Sequence, residues 1–318
     1  MDSKRRQFLQ TLCGALAATY ADPALPADRA SIISDYRQNF RAIYKDARSR
    51  AEFRNFLVNV FNLYPEEELH QLIWRVAVQN LDDQGAYLAG QAALPNISPA
   101  LRELRYELPA LNKQKEVLAT QTVQLLGKRR RFNGYMEIGS TGRYLDPLQE
   151  RLTITGDTYT IAEQAPDYSI VDILDRGQLS KVGKFLPLGH YDPDIFRTIP
   201  RSSIELVTVY IGFHHCPVPL RADFFAAIRD VMKSGATMIV RDHEVNSRMM
   251  WHTVALAHDV FNMGTSISWE TNKRELRNFY SLDELDGMLY KAGFRPDGRR
   301  LLQKGDPTHN TLMLYQKA

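Results

Sequence analysis

Cysteine is almost missing from this chain: Cys13 and Cys216 are the only two in 318 residues. So distant a pair builds neither a disulfide framework nor a multi-cysteine metal site within one chain, and the scarcity suits a reducing compartment. Long apolar runs are missing too, none reaching the roughly 18 residues of a conventional membrane-spanning helix. Nor does one sign of charge dominate, since 40 basic and 37 acidic residues leave a net charge of +3. Electrostatics alone therefore does not point to nucleic acid, and no nucleic-acid partner is expected. The one dense basic run, Lys128-Arg129-Arg130-Arg131, is short and reads as a solvated helix end, where cations complement the dipole. No internal repeat or low-complexity segment stands out. What is present, 44% hydrophobic and 24% charged residues, is the balance of a globular protein able to bury a sizeable core.

The first 27 residues contain Ser3-Lys4-Arg5-Arg6-Gln7-Phe8-Leu9, then a short apolar stretch from Thr11 to Ala18 and a small-residue, proline-containing segment from Ala21 to Ala27. The order of parts resembles a bacterial twin-arginine export signal, and the alternative reading is an amphipathic helix. Residues 28–114 are expected to form a helical accessory region. Phe53, Phe56, Leu57, Val60 and Phe61 recur at helical spacing, and a second helix is expected to start at Pro65, with Glu66, Glu67 and Glu68 complementing its positive end.

From about residue 115 to 318 the pattern becomes short apolar runs alternating with helical stretches, the mark of a parallel α/β sheet. Seven strands are expected, near Tyr135–Ile138, Tyr159–Ala162, Phe185–Leu188, Ile204–Ile211, Thr237–Arg241, Arg299–Gln303 and Leu312–Gln316. The last two have no helix between them and so should form an antiparallel hairpin at one sheet edge. The first strand runs into Glu137-Ile138-Gly139-Ser140-Thr141-Gly142-Arg143-Tyr144. Gly139 and Gly142 allow a tight turn and close approach of a ligand at the carboxyl end of the strand, where open α/β sheets bind ligands. A three-glycine dinucleotide fingerprint would carry glycine where Glu137 stands, which disfavours a nicotinamide cofactor. Glu163, ending the second strand, is placed to accept hydrogen bonds from both hydroxyls of a ribose. Asp192, after the third, is either a contact to a nucleobase or a turn-stabilising aspartate. The fourth and fifth strands end in Gly212-Phe213-His214-His215 and Arg241-Asp242-His243-Glu244, two ionisable clusters on one sheet edge.

These phrases, with Leu256-Ala257-His258-Asp259-Val260-Phe261-Asn262 and Asp306-Pro307-Thr308-His309-Asn310-Thr311-Leu312, resemble the class I methyltransferase domain of ovothiol-biosynthesis enzymes over about residues 110–318. The resemblance implies a Rossmann-like seven-stranded sheet and S-adenosylmethionine as donor. The expected donor contacts are Glu137, Gly139, Ser140, Thr141, Gly142, Arg143, Glu163, Asp192 and Gly212. It also implies methyl transfer to a ring nitrogen of a thiol- or selenol-substituted histidine. Longer members of that family carry an iron-dependent sulfoxide synthase region ahead of this domain, for which the first 110 residues offer neither room nor ligands, so a standalone methyltransferase is expected. An imidazole nitrogen attacks only when unprotonated, so His214, His215, Asp242 and His243 are the candidates to fix its tautomer or take its proton. No ligand pair among these histidines has zinc spacing, and no metal is expected. Gly264–Trp269 reads either as a lid over the acceptor or as ordinary loop packing. The competing readings are a methyltransferase acting on another small molecule or a macromolecule, and a noncatalytic binding protein with a nucleotide fold. A cytosolic donor favours action in the cytoplasm, against the export-like amino terminus.

Overall fold

The computed structural model describes residues 38–99, 103–166 and 182–318, and the export-like segment lies outside the described residues. In chain order the helices are α1 (Asn39–Lys45), α2 (Ala47–Phe56), α3 (Glu66–Gln79), α4 (Asp83–Ala93), α5 (Leu108–Leu126), α6 (Leu145–Gln149), α7 (Arg221–Val231), α8 (Arg248–Gly264), α9 (Trp269–Asn272) and α10 (Leu282–Lys291). The strands are β1 (Arg131–Ile138), β2 (Thr153–Ala162), β3 (Lys184–Pro187), β4 (Ile204–Val209), β5 (Met232–His243), β6 (Phe294–Leu302) and β7 (Asn310–Lys317). One compact unit holds the described residues up to Ala110 with Val245–Glu275 and Lys304–Thr308. The other holds those of Leu111–Glu244, Leu276–Gln303 and His309–Ala318. The chain thus leaves the sheet unit after β5 and again between β6 and β7, and the helical unit takes in two segments beyond the expected 28–114 region. Periodicity marks a helix such as α8, but not which core it joins.

In the helical unit, α3 starts after Pro65 with three glutamates in its first turn and buries Leu69, Leu72, Ile73 and Val76. The Phe53–Phe61 stripe is split: α2 gives way to a π-helical turn over Leu57–Phe61, which keeps Phe56, Leu57 and Phe61 all buried. These side chains form one core with Leu256, Val260 and Met263 of α8. Each fully buried Leu, Ile or Phe there contributes about 1.5–3 kcal/mol. Polar groups run through the same core. The side chain of Asp83 accepts from the backbone N–H groups of Asn39 (2.8 Å) and Phe40 (3.0 Å). The Asn39 amide donates to Asp259 (3.0 Å), which also accepts from Asn272 (2.8 Å). Asn262 donates to Asn272 (2.8 Å) and to Glu275 (3.1 Å). Asp259 and Asn262 of the 256–262 phrase therefore link helices of this unit. The 264–269 segment is tied down as well: Tyr64 donates to the Gly264 carbonyl (2.8 Å), Tyr87 donates to that of Ile267 (2.8 Å), and Trp269 packs on Tyr87. Side-chain anchoring makes Gly264–Trp269 part of a packed core rather than a lid.

The sheet unit has the order β3-β2-β1-β4-β5-β7-β6, with β1 to β5 mutually parallel where paired and β7 antiparallel to β5 and β6. This is the expected Rossmann-like seven-stranded sheet, closed by the antiparallel hairpin. Its order reverses between β1 and β4, so the ligand crevice of such a sheet falls at the carboxyl ends of these two strands. Phe132, Tyr135, Leu206, Ile239, Leu312 and Leu314 from four strands pack with Leu118 and Leu125 of α5. At the opposite, amino-terminal end of the sheet, Glu205 pairs with Arg129 (2.8 Å) and Lys233 (2.9 Å). Part of the basic run thus clamps strand ends. No helix among the described residues is long and apolar enough to cross a membrane.

Candidate active site

β1 delivers Glu137 to the switch point with no exposed surface. Two residues earlier on the same strand face, Tyr135 donates its hydroxyl to Glu137 Oε2 (2.8 Å) and lies 2.7 Å from the Thr208 hydroxyl of β4. Glu137 Oε1 has no hydrogen-bond partner. Burial pushes this carboxyl up, against the lowering influence of Ser140, Tyr135 and Arg143. The turn that follows is left-handed at Gly139 (φ 85°), and a Cβ there would run into the Ile211 side chain. The close approach permitted by glycine is thus to protein atoms, besides any ligand. Beyond it, Ser140, Thr141 and Arg143 are all buried, Arg143 to 1% exposure. None of the three guanidinium nitrogens of Arg143 has a hydrogen-bond partner, and neither has Thr141 Oγ1. A charge taken out of water without partners is costly enough that native folds rarely keep one except for a ligand. Lys115 of α5 is buried in the field of Asp146, Arg143 and Glu137, and burial lowers its ammonium pKa.

At the end of β2, Glu163 has an Oε1 without a hydrogen-bond partner. Burial raises its pKa, while the His190 ring, 3.9 Å away, and the His190 backbone pull it down. Asp192 is exposed and accepts from the Asp194 backbone N–H (2.9 Å), starting a short 3-10 turn.

The carboxyl ends of β4 and β5 meet at Asp242. Its two oxygens accept from the backbone N–H groups of Phe213 (2.8 Å) and His243 (2.8 Å) and from the Tyr280 hydroxyl (2.5 Å), and Oδ1 lies 2.7 Å from His214 Nδ1. Burial pushes this carboxyl up, but His214, His243 and Tyr280 outweigh it and keep Asp242 below the ordinary carboxylate range. A Cβ at Gly212 (φ 75°) would stand 2.5 Å from the Asp242 carboxylate, so glycine there makes room for the carboxylate. The His214 ring lies against those of His215 (4.1 Å between centroids), His243 (5.3 Å) and Phe279 (5.3 Å). His215 Nδ1 is 2.9 Å from the Leu276 carbonyl. Burial pushes the Cys216 thiol up to about 12, so it stays protonated and inert.

All four candidate histidine and aspartate residues therefore meet on one sheet edge, and the donor-loop residues stand on the same edge. Sequence reasoning missed Tyr135, Lys115, Phe279 and Tyr280. Tyr135 had a signal, because it shares a strand face with Glu137 at period two. The others are brought in by loops or by a neighbouring helix and had none.

No protein-family model matches the chain, and no curated protein matches it. Solved structures of similar fold include a possible exported protein from Bordetella parapertussis, at 13% identity over 92% of this chain and 99% of that one (TM-score 0.45). A methyltransferase from Aquifex aeolicus described as SAM-dependent is 14% identical over 72% and 98% (TM-score 0.40). The 1,6-didemethyltoxoflavin N1-methyltransferase of Burkholderia thailandensis is 13% identical over 66% and 79% (TM-score 0.40). Likenesses this distant assign no function.

Proposed function

We propose that this chain is an S-adenosylmethionine-dependent methyltransferase acting on a small molecule, at a ring nitrogen of a thiol- or selenol-substituted histidine. The observation that carries the donor is the set of buried polar atoms left without a hydrogen-bond partner along the ends of β1 and β2. Glu137 Oε1, Thr141 Oγ1, the Arg143 guanidinium and Glu163 Oε1 fit the polar groups of the donor. Arg143 and Thr141 would hold the carboxylate of its methionine portion, Glu137 the ammonium and Glu163 the ribose diol. When bound, the donor supplies an electrophilic methyl group.

The rest of the chemistry belongs to the chain. A neutral His214 whose Nδ1–H donates to Asp242 carries its lone pair on Nε2, which suits it to take the proton of an acceptor ring and leave the reacting nitrogen unprotonated. Asp242 fixes this tautomer, and Tyr280 with two backbone N–H groups holds Asp242 ionised and immobile. His215, His243 and Phe279 flank His214 with flat rings against which a planar heteroaromatic acceptor can lie. The imidazole assignment rests on the resemblance to ovothiol-biosynthesis methyltransferases together with this aromatic lining. Mass spectrometry of reactions of the purified protein with S-adenosylmethionine and a panel of thiohistidines, other histidine derivatives and selenium analogues tests it. A mass gain of one methyl on a ring nitrogen of a sulfur- or selenium-bearing histidine is expected. Methylation of none of the panel would overturn the acceptor.

A further inference from the structure

Arg221 stands at the first position of α7, where the positive end of the helix disfavours a cation. It is nonetheless buried, at 8% exposure, and no carboxylate among the described residues pairs with it. Its guanidinium is spent on backbone and a ring instead. Nε donates to the Cys216 carbonyl (3.3 Å), Nη2 donates to the Asn278 carbonyl (2.8 Å), and Nη1 lies 3.9 Å from Met288 Sδ of α10. The charge also sits 4.9 Å from the centre of the Tyr280 ring. These partners belong to two pieces of chain, the loop after β4 and residues 276–280, which have no regular secondary structure. The same pieces are joined by the Asn278 backbone N–H, donating to the His214 carbonyl (3.0 Å), and by the Asn278 amide, donating to that of Cys216 (3.4 Å). What the segment carries ends in the site: the Phe279 ring lies against His214 and His243, and the Tyr280 hydroxyl donates to Asp242. Burial and the field of Asp242 keep that hydroxyl protonated, and so able to donate.

We infer that Arg221 is a positioning residue for the methyl transfer proposed above, an inference that rests on that reading. By bridging the Cys216 and Asn278 carbonyls and lying on the Tyr280 ring, it pins residues 276–280 so that the Tyr280 hydroxyl reaches Asp242. The planar fork is what this needs, because a lysine ammonium brings the charge but does not span two carbonyls while lying flat on a ring. Asp242 is then shared among four donors, of which His214 Nδ1–H is one. With the Tyr280 hydroxyl gone, the same carboxylate would bond His214 more strongly and favour its imidazolium over the neutral ring that takes the acceptor's proton.

The test compares Arg221→Lys, Tyr280→Phe and the double variant. Each is followed by thermal unfolding, by calorimetric titration with S-adenosylhomocysteine, and by proton NMR of the ligand-free protein with isotope-labelled histidine. The His214 Nδ1–H line is the one lost in His214→Ala. Tyr280→Phe is expected to move this line to lower field, and Arg221→Lys to move it the same way although the charge is retained. The double variant should move it no further than the larger single change, and donor affinity should stay within about twofold throughout. A line unmoved in Arg221→Lys would overturn the inference, whatever the melting temperature, because the segment would then keep its place without the fork. Displacements that add in the double variant would overturn it too, since Arg221 would then act otherwise than through Tyr280. An unmoved line in Tyr280→Phe would remove the link to His214, and an Arg221→Lys protein that does not fold would make the guanidinium a requirement of the fold. A wild-type protein that does not bind S-adenosylhomocysteine would instead remove the methyltransferase reading, and with it the reaction that Arg221 serves.

Discussion

Replacing Arg143 by methionine separates a ligand-binding charge from a structural one. The guanidinium is 1% exposed, with no hydrogen-bond partner on any nitrogen. Glu137 acts on it only through its field, since the Tyr135 hydroxyl, rather than Arg143, bonds that carboxylate. In the ligand-free protein, Arg143→Met therefore removes an unsolvated charge and keeps most of the packed volume, so the melting temperature should hold or rise. Donor binding should suffer instead. Hydrogen bonds to a charged group contribute about 1.5–3 kcal/mol, equivalent to about 10- to 150-fold in dissociation constant. For a ligand at 100 times the wild-type dissociation constant, stabilisation by binding is about 2.7 kcal/mol, and a hundredfold weaker variant would keep only about 0.4 kcal/mol of it. Differential scanning fluorimetry with S-adenosylhomocysteine should therefore show a large shift for wild type and almost none for the variant. 5′-Methylthioadenosine, without a carboxylate, should bind both proteins equally. A lowered ligand-free melting temperature combined with unchanged S-adenosylhomocysteine affinity would refute the reasoning, because Arg143 would then be serving the fold.

Glu163 should make donor affinity pH-dependent. Its pKa is raised in the fold, so affinity should fall as pH drops through that raised value, where the carboxylate that accepts the diol is lost. The same raised value gives the ligand-free protein stability that is present below the unfolded pKa and lost as pH rises through the folded one. Glu163→Gln should flatten the Glu163 part of both profiles in titrations between acid and neutral pH, leaving any contribution of Glu137; an unchanged profile would place the titration elsewhere. Gly139→Val should abolish donor binding and lower the melting temperature, since φ 85° is strained for a branched residue and its Cβ meets Ile211; retained S-adenosylhomocysteine binding would sink the proposed donor loop. His214→Ala should leave donor affinity intact and slow single-turnover methyl transfer about a hundredfold. A normal rate per folded molecule would exclude the proton-handling role. Asp242→Asn is a blunter probe: the carboxylate bonds two backbone N–H groups on separate strand ends, so an amide should also destabilise the fold, by about 1–3 kcal/mol in denaturant titrations.

Sequence alone determined the sheet and the kind of crevice it carries. Alternating apolar runs and helical stretches marked all seven strands, although β2, β5 and β6 begin five or six residues before their expected starts, and the absence of a helix between β6 and β7 required the antiparallel hairpin. The Glu137–Arg143 phrase was legible because a tight glycine turn after a first strand leaves a local mark, and the histidine-rich ends of β4 and β5 were legible because parallel strands bring their carboxyl ends to one edge. Tertiary structure decided what no local pattern encodes. It joined α8, which follows β5, to the core of Phe53 and Leu57, because packing partners are chosen by three-dimensional complementarity rather than by periodicity. It gave Gly212 the task of clearing space for the Asp242 carboxylate, set Tyr280 on that carboxylate across 38 positions of chain, and fixed Gly264–Trp269 by hydrogen bonds from Tyr64 and Tyr87. Which buried polar atoms are left without a protein partner is likewise a property of the whole fold. Satisfaction of a hydrogen bond depends on every neighbour at once, and the loops and helices that supply those neighbours are distant in sequence.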